Sequence, residues 1–127
     1  MEMNPRNQAI RVLLVEDDED DYVIIREVFS RIEGKAFQLE WVSTCQEAVE
    51  KATLNQHDVC LVDYLLGEKN GIELTHDFQR NGVQAPVILL TGQGSHEVDM
   101  KAMKEGVADY LEKIELNPML LERAIRY

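Results

Sequence analysis

The chain has 127 residues, of which 45% are apolar, and its formal net charge at pH 7 is −11. These values predict a single globular domain and exclude wholesale disorder. The acidic balance argues against a nucleic-acid-binding surface, because contacts to phosphate require clustered Lys and Arg. No apolar run approaches the roughly 18 residues of a membrane span, and the first residues lack the apolar stretch of a secretory signal. Cys45 and Cys60 are too few for a disulfide or zinc framework, so we expect free thiols in a cytoplasmic protein.

The first half of the chain predicts two strands and two helices. Residues 10–15 form a short apolar run with β-branched members, which indicates a buried strand. Beyond a block of acids, apolar residues recur at helical spacing until Gly34, namely Tyr22, Ile25, Val28, Phe29 and Ile32. Residues 37–41 alternate between apolar and polar, as in a strand with one exposed face. Residues 44–47 resemble a capping box, which predicts a second helix running to about Leu54.

The second half predicts three further strands, each followed by a helix. The strands are residues 58–63, residues 86–91 with Pro at the first position, and the shorter segment 107–112. The helices are residues 72–80, a segment capped by Ser95 that carries Val98, Ala102 and Met103 and ends at Gly106, and a last helix beginning at Asn117-Pro118.

The regular alternation of strands and helices predicts the fold. Five strands that alternate with five helices indicate a parallel sheet with helices on both faces and right-handed crossovers. The first, third and fourth strands are nearly continuous apolar runs and belong inside the sheet, whereas the alternating second strand belongs at an edge. We therefore predict a flavodoxin-like doubly wound (βα)5 sheet of order 2-1-3-4-5. This domain covers residues 10–127, and residues 1–9 are an N-terminal extension.

Six consecutive acids, residues 16–21, follow the first strand. A solvated loop is the ordinary interpretation of such a block. A calcium loop is excluded by its register, because the sixth and twelfth positions counted from Asp17 are Tyr22 and Val28 rather than Gly and Glu. We expect Glu16 and Asp17 to be functional, and the acids from Asp18 to Asp21 to form the cap and solvated start of the first helix.

Polar residues converge at the carboxyl ends of the predicted strands, where open α/β sheets bind their ligands. Besides Glu16 and Asp17, the strand ends deliver Asp63, Thr91 and Lys113. Each has an ordinary interpretation as a turn former, strand former or solvated cation, but ordinary roles would not gather them at one end. Facing carboxylates require a cation or a raised pKa, and their oxygens suit Mg²⁺. The hydroxyl and ammonium suit a phosphoryl group, with Asp63 as the nucleophile.

In these residues the chain resembles the receiver domains of response regulators, from Ile10 to Tyr127. The matching positions are the acidic pair Glu16-Asp17, Asp63 after the third strand, Asn70-Gly71 before the third helix, Thr91-Gly92, the aromatic Tyr110 and Lys113. The resemblance rests on this ordered set at the right spacings, since each motif alone would be weak.

The resemblance implies a two-component signalling role. Asp63 would accept a phosphoryl group from a phosphohistidine on a histidine kinase or a histidine phosphotransfer protein. Mg²⁺ would be bound by Asp17, Asp63 and the backbone carbonyl of Leu65, with Glu16 acting through water. Thr91 and Lys113 would hold the phosphoryl oxygens. Their movement would draw Tyr110 inward and reshape the face around the Ser95-capped helix, the fifth strand and the last helix, which would bind a downstream effector.

Two positions depart from the family pattern. Gly67 stands where a Pro is common four residues after the phosphorylated Asp, and Ile114 stands where a cis-forming Pro commonly follows the Lys. Because a cis bond without proline costs about 3–4 kcal/mol, we expect a trans bond before Ile114.

Two other functions remain open at this point. One is a Mg²⁺-dependent phosphatase or phosphotransferase with an aspartyl-phosphate intermediate, although Leu65 stands where haloacid-dehalogenase-like enzymes place a second acid and no cap domain is inserted. The other is a receiver-like interaction module that is never phosphorylated. The chain stops within its predicted last helix without a stop signal, which favours a piece of a longer protein.

Overall fold

The computed structural model describes residues 9–34, 36–67, 69–92 and 106–126. Within these ranges it contains five strands, β1 (Ile10–Val15), β2 (Phe37–Val42), β3 (Val59–Asp63), β4 (Val87–Thr91) and β5 (Asp109–Glu112). The α-helices within the same ranges are α1 (Glu19–Ser30), α2 (Cys45–Ala52), α3 (Gly71–Arg80) and α4 (Pro118–Arg126), and a 3-10 turn spans Lys113–Glu115. The predicted helix that carries Val98, Ala102 and Met103 lies outside the described residues.

The five strands form one parallel sheet of order β2-β1-β3-β4-β5, which confirms the predicted topology. Every residue of β3 and β4 is buried, as is the second half of β1 beyond Arg11, whereas the edge strand β2 is only partly covered. The register aligns Val15 of β1 with Val62 of β3. The residues that follow these two strands therefore meet at the carboxyl edge of the sheet.

Each face of the sheet carries its own apolar core. Leu74 and Phe78 of α3 are buried on one face, together with apolar residues of α2. On the other face, Ile25 of α1 and Leu121 of α4 are buried against β1, β3 and β4. These cores fix α1 and α3 so that each begins at the carboxyl edge of the sheet.

Side-chain caps determine where the helices begin. Asp18 caps α1, since its side chain accepts hydrogen bonds from the backbone N–H groups of Asp20 and Asp21. Thr44 caps α2 by accepting from the N–H of Glu47 at 3.1 Å, as the sequence predicts. None of the helices in the described part of the chain is long and apolar enough to cross a membrane.

Candidate functional site

The carboxylate of Glu16 is buried at the end of β1. Its side chain is 0% exposed, and its Oε1 atom lies 2.8 Å from Nζ of Lys113. The backbone carbonyl of Glu16 accepts a hydrogen bond of 2.7 Å from Nε1 of Trp41. The Trp41 ring in turn stacks on Tyr22 of α1, with ring centroids 4.1 Å apart. The edge strand and the first helix thus hold Glu16 in place from two sides.

The carboxylate of Asp63 lies at the end of β3 and is also buried. The loop beyond it turns sharply, because the N–H of Gly71 donates to the carbonyl of Tyr64 at 2.7 Å. A Cβ atom on Gly71 would come within 2.5 Å of Leu89 Cδ1 and 2.8 Å of the Asp63 carbonyl oxygen. Only glycine lets α3 begin this close to β3, so the turn holds the Asp63 backbone tightly against the start of the helix.

Asp17 completes a group of three acids. One carboxylate oxygen from each of Glu16, Asp17 and Asp63 lies within 4.8 Å of the other two. Asp17 is exposed, whereas the other two acids are buried. This set of hard oxygen donors, open to solvent on the Asp17 side, fits Mg²⁺. Leu65 lies in the adjoining loop with its side chain exposed, in an isolated antiparallel bridge with Asn70.

Lys113 places an ammonium group among these acids. Its Nζ atom lies 3.1 Å from Oδ2 of Asp63, in addition to its contact with Glu16. The residue begins the 3-10 turn that follows β5, and its side chain is 21% exposed. No peptide bond in the described residues is cis, which confirms the expected trans bond before Ile114.

The pKa values of these groups reflect crowding of negative charge. Burial raises the pKa of Glu16 to about 8; Lys113 opposes this shift and the charge of Asp63 adds to it. Burial also raises the pKa of Asp63, against the opposing effect of Lys113. Burial alone would lower the pKa of Lys113, but its contacts with nearby carboxylates raise it above the ordinary value. In the part of the chain that the structure describes, the site therefore holds more carboxyl groups than the one ammonium beside them can neutralise.

Thr91 and Tyr110 connect the site to β5. The Thr91 hydroxyl is buried at the end of β4 and donates to the carbonyl of Leu111 at 3.4 Å. Leu111 directly follows Tyr110, whose half-buried side chain packs against the apolar core on the α3 face. The Thr91 hydroxyl thus contacts the residue that follows Tyr110 in β5.

The division of the acidic block between site and helix start was wrong at one position. Asp18 is the cap, and Glu19 and Asp20 are exposed, as expected. Asp21, however, lies with its Oδ2 atom 2.7 Å from Nζ of Lys113. Helical periodicity indicates that Asp21 faces inward, because it precedes the buried Ile25 by one turn of α1, but it does not indicate the partner.

The sequence matches the response regulator receiver domain family over residues 12–126. The transcriptional regulatory protein SrrA of Staphylococcus aureus (strain NCTC 8325 / PS 47) is 31% identical over 101 residues, which cover 80% of this chain and 41% of SrrA. The transcriptional regulatory protein RprY of Bacteroides fragilis (strain YCH46) is 26% identical over 107 residues, which cover 84% of this chain and 44% of RprY. The chain thus spans less than half the length of these two relatives.

Solved structures share the fold. The receiver domain of the sensor histidine kinase PA1611 from Pseudomonas aeruginosa PAO1 has a TM-score of 0.78 and 24% identity, and the alignment covers 94% of this chain and 96% of that one. That structure has a magnesium ion coordinated in its active-site cleft. The receiver domain of the Francisella response regulator 1452 has a TM-score of 0.75 and 26% identity, with 91% and 93% covered.

Proposed function

Because this chain belongs to the response regulator receiver domain family, we propose that it is a phosphorylation-dependent signalling switch whose phosphoryl acceptor is Asp63. One observation carries the proposal: the buried Asp63 carboxylate contacts the ammonium of Lys113 and lies beside two further carboxylates. At this position the Lys113 ammonium can also bind the oxygens of a phosphoryl group that Asp63 attacks. The chain is regulatory in this account rather than an enzyme with its own substrate.

The transfer makes one bond and breaks one. An ionised oxygen of Asp63 attacks the phosphorus atom of a phosphohistidine, so an O–P bond forms as the N–P bond breaks. The electron pair of the N–P bond returns to the imidazole of the donor, which is a histidine kinase or a histidine phosphotransfer protein. Lys113 and the hydroxyl of Thr91 hold the phosphoryl oxygens. Burial raises the pKa of Asp63 and the charge of Lys113 opposes this rise, so Lys113 favours the ionised, nucleophilic form.

The carboxylates would hold Mg²⁺. Asp17 and Asp63 would bind it directly, together with the backbone carbonyl of Leu65, and Glu16 would act through water. The bound ion supplies positive charge that offsets the repulsion between the carboxylates and the phosphoryl oxygens. Support comes from the three oxygens within 4.8 Å of one another and from the related PA1611 domain, which carries magnesium in its cleft.

Phosphorylation would change the conformation of β5. A phosphoryl group on Asp63 competes for the Thr91 hydroxyl, which donates to the carbonyl of Leu111 in the unphosphorylated protein. Loss of that hydrogen bond would let the Tyr110 side chain repack and would change the face around β5 and α4. A downstream effector would bind this face. The relatives SrrA and RprY, both named transcriptional regulatory proteins, extend well beyond the matched region, which supports such an output.

A cytoplasmic location belongs to the same proposal. Cys60 is a buried free thiol, and a thiol of this kind suits a reducing compartment.

The test is phosphorylation by a small donor. The protein is incubated with phosphoramidate and Mg²⁺, and the adduct is measured by intact mass and located by peptide mapping. We expect one phosphoryl group in the wild type and in the control Asp20→Asn, and none in Asp63→Asn, because an amide is not a competent nucleophile. Unchanged incorporation in Asp63→Asn would contradict the assignment. Donor turnover without a lasting adduct would indicate a phosphatase, and neither adduct nor turnover an interaction module.

A further inference from the structure

Three carboxylates from three parts of the chain surround the Lys113 ammonium. Its Nζ atom lies 2.7 Å from Asp21, 2.8 Å from Glu16 and 3.1 Å from Asp63. The contact with Asp21 is a hydrogen bond, whereas the contacts with Glu16 and Asp63 are ion pairs by distance. The shortest contact is with Asp21, which the proposed chemistry does not use.

Asp21 differs from the other two acids in its position. Glu16 and Asp63 belong to the group of carboxylates that could hold a metal ion, and Asp21 does not. Asp21 lies in the first turn of α1, whose buried Ile25 and Phe29 anchor the helix to the sheet. Its carboxylate is therefore presented by a rigid element at the margin of the site.

The 3-10 turn that begins at Lys113 adds little packing of its own. The 3-10 turn Lys113–Glu115 buries no residue, and it begins without a hydrogen bond from a capping side chain. Ile114, the next residue, is 78% exposed. The pairing of β5 with β4 holds the backbone up to Glu112, but the turn buries none of its own residues, so the ion pairs of Lys113 are what fixes its ammonium.

We propose that Asp21 is a positioning residue, which holds Lys113 through an ion pair outside the metal-binding carboxylates. When a divalent cation engages Glu16 and Asp63, the ammonium keeps Asp21 as its partner and stays at the site. Without Asp21, the ammonium competes with the cation for the same two carboxylates. The magnesium part rests on the proposed function, whereas the contact between Asp21 and Lys113 does not.

The first measurement is the affinity for Mg²⁺ alone, determined by calorimetric titration. Asp21→Asn should bind Mg²⁺ about tenfold more weakly than Asp20→Asn, the scale of losing a group that orients a metal site. Asp20→Asn is the matched control. Asp20 is the residue before Asp21, its side chain is exposed, and the change removes the same charge. Asp21→Glu should restore most of the affinity, since it keeps the carboxylate.

The second measurement reads Lys113 directly and needs no phosphorylation. In protein labelled with ¹⁵N-lysine, the Lys113 ammonium signal is identified by its absence from Lys113→Arg. At saturating Mg²⁺ we expect this signal in the wild type, Asp20→Asn and Asp21→Glu, and its loss through fast solvent exchange in Asp21→Asn. Equal Mg²⁺ affinity and an equal signal in Asp21→Asn and Asp20→Asn would overturn the proposal. A wild type that accepts no phosphoryl group would overturn the proposed function and leave this result standing.

Discussion

In two parts of the molecule a lysine lies beside an acid, and the pKa of the acid is shifted in opposite directions. At the carboxyl edge of the sheet, burial raises the pKa values of Glu16 and Asp63. On the edge strand β2, Glu40 contacts His57 at 2.7 Å and Lys51 at 3.6 Å. There the hydrogen bond with His57, helped by Lys51, lowers the pKa of Glu40.

The difference separates a site arranged for function from a contact that stabilises the fold. Glu40 is 42% exposed and has a partner for each oxygen, so its charge costs little. Glu16 is fully buried and shares one ammonium with Asp21 and Asp63. Perturbed carboxyls of this kind collect where a protein binds or transfers charged groups. Under the proposed function, the lower stability at the carboxyl edge is the consequence of holding a cation and a phosphoryl group there.

The largest expected effect comes from removing each lysine in turn. Lys113→Met should lower the free energy of unfolding by about 3–5 kcal/mol at pH 8 without metal, because buried carboxylates lose their cation. Lys51→Met should cost at most about 1 kcal/mol, since its partner is exposed. Urea denaturation in EDTA measures both. Similar small losses for the two variants would remove the contrast between the regions.

The next effect is a pH dependence at the carboxyl edge. The folded state holds the proton of Glu16 up to about pH 8, against an ordinary value of 4.5. The contribution of Glu16 to the free energy of unfolding should therefore be fully present below about pH 4.5 and should be lost as the pH rises through this window. The change amounts to a few kcal/mol at most, since one pKa unit corresponds to about 1.4 kcal/mol. Glu16→Gln should flatten the profile in EDTA, and a profile as steep as that of the wild type would contradict this cause.

The smallest effect lies at the edge strand and has the opposite sign. Because the pKa of Glu40 is lowered from 4.5, its contribution is present above that pH and is lost as the pH falls through the folded-state value. Glu40→Gln should cost under about 1 kcal/mol at pH 7, the scale of an exposed pair, and less at pH 3. Thermal unfolding at the two pH values checks this, and an equal cost at both would show that the charge of Glu40 is not responsible.

The strand order and most of the site could be predicted from local pattern. The apolar runs of β1, β3 and β4 belong inside a parallel sheet, and such sheets gather functional residues at their carboxyl edge. Glu16, Asp17, Asp63 and Lys113 were predicted on that basis, and the structure brings them together.

The partners of Asp21 and His57 could not be predicted in this way. An acid in the first turn of a helix has a sufficient local explanation, and nothing near Asp21 in the sequence points to Lys113, 92 residues later. The contact of His57 with Glu40 depends on how the chain before β3 lies against β2. Such contacts follow from tertiary packing, which local pattern does not specify.

The central claim is that the carboxyl edge is crowded with charge because it binds a cation, and thermal unfolding with and without Mg²⁺ tests this most directly. At a hundred times its dissociation constant, Mg²⁺ should stabilise the wild type by about 2.7 kcal/mol. Asp17→Asn should be slightly more stable than the wild type in EDTA and should lose most of the response to Mg²⁺. Asp20→Asn should change neither property by more than about 1 kcal/mol. A metal response that disappears in Asp20→Asn and persists in Asp17→Asn, or that is missing from the wild type, would contradict the account.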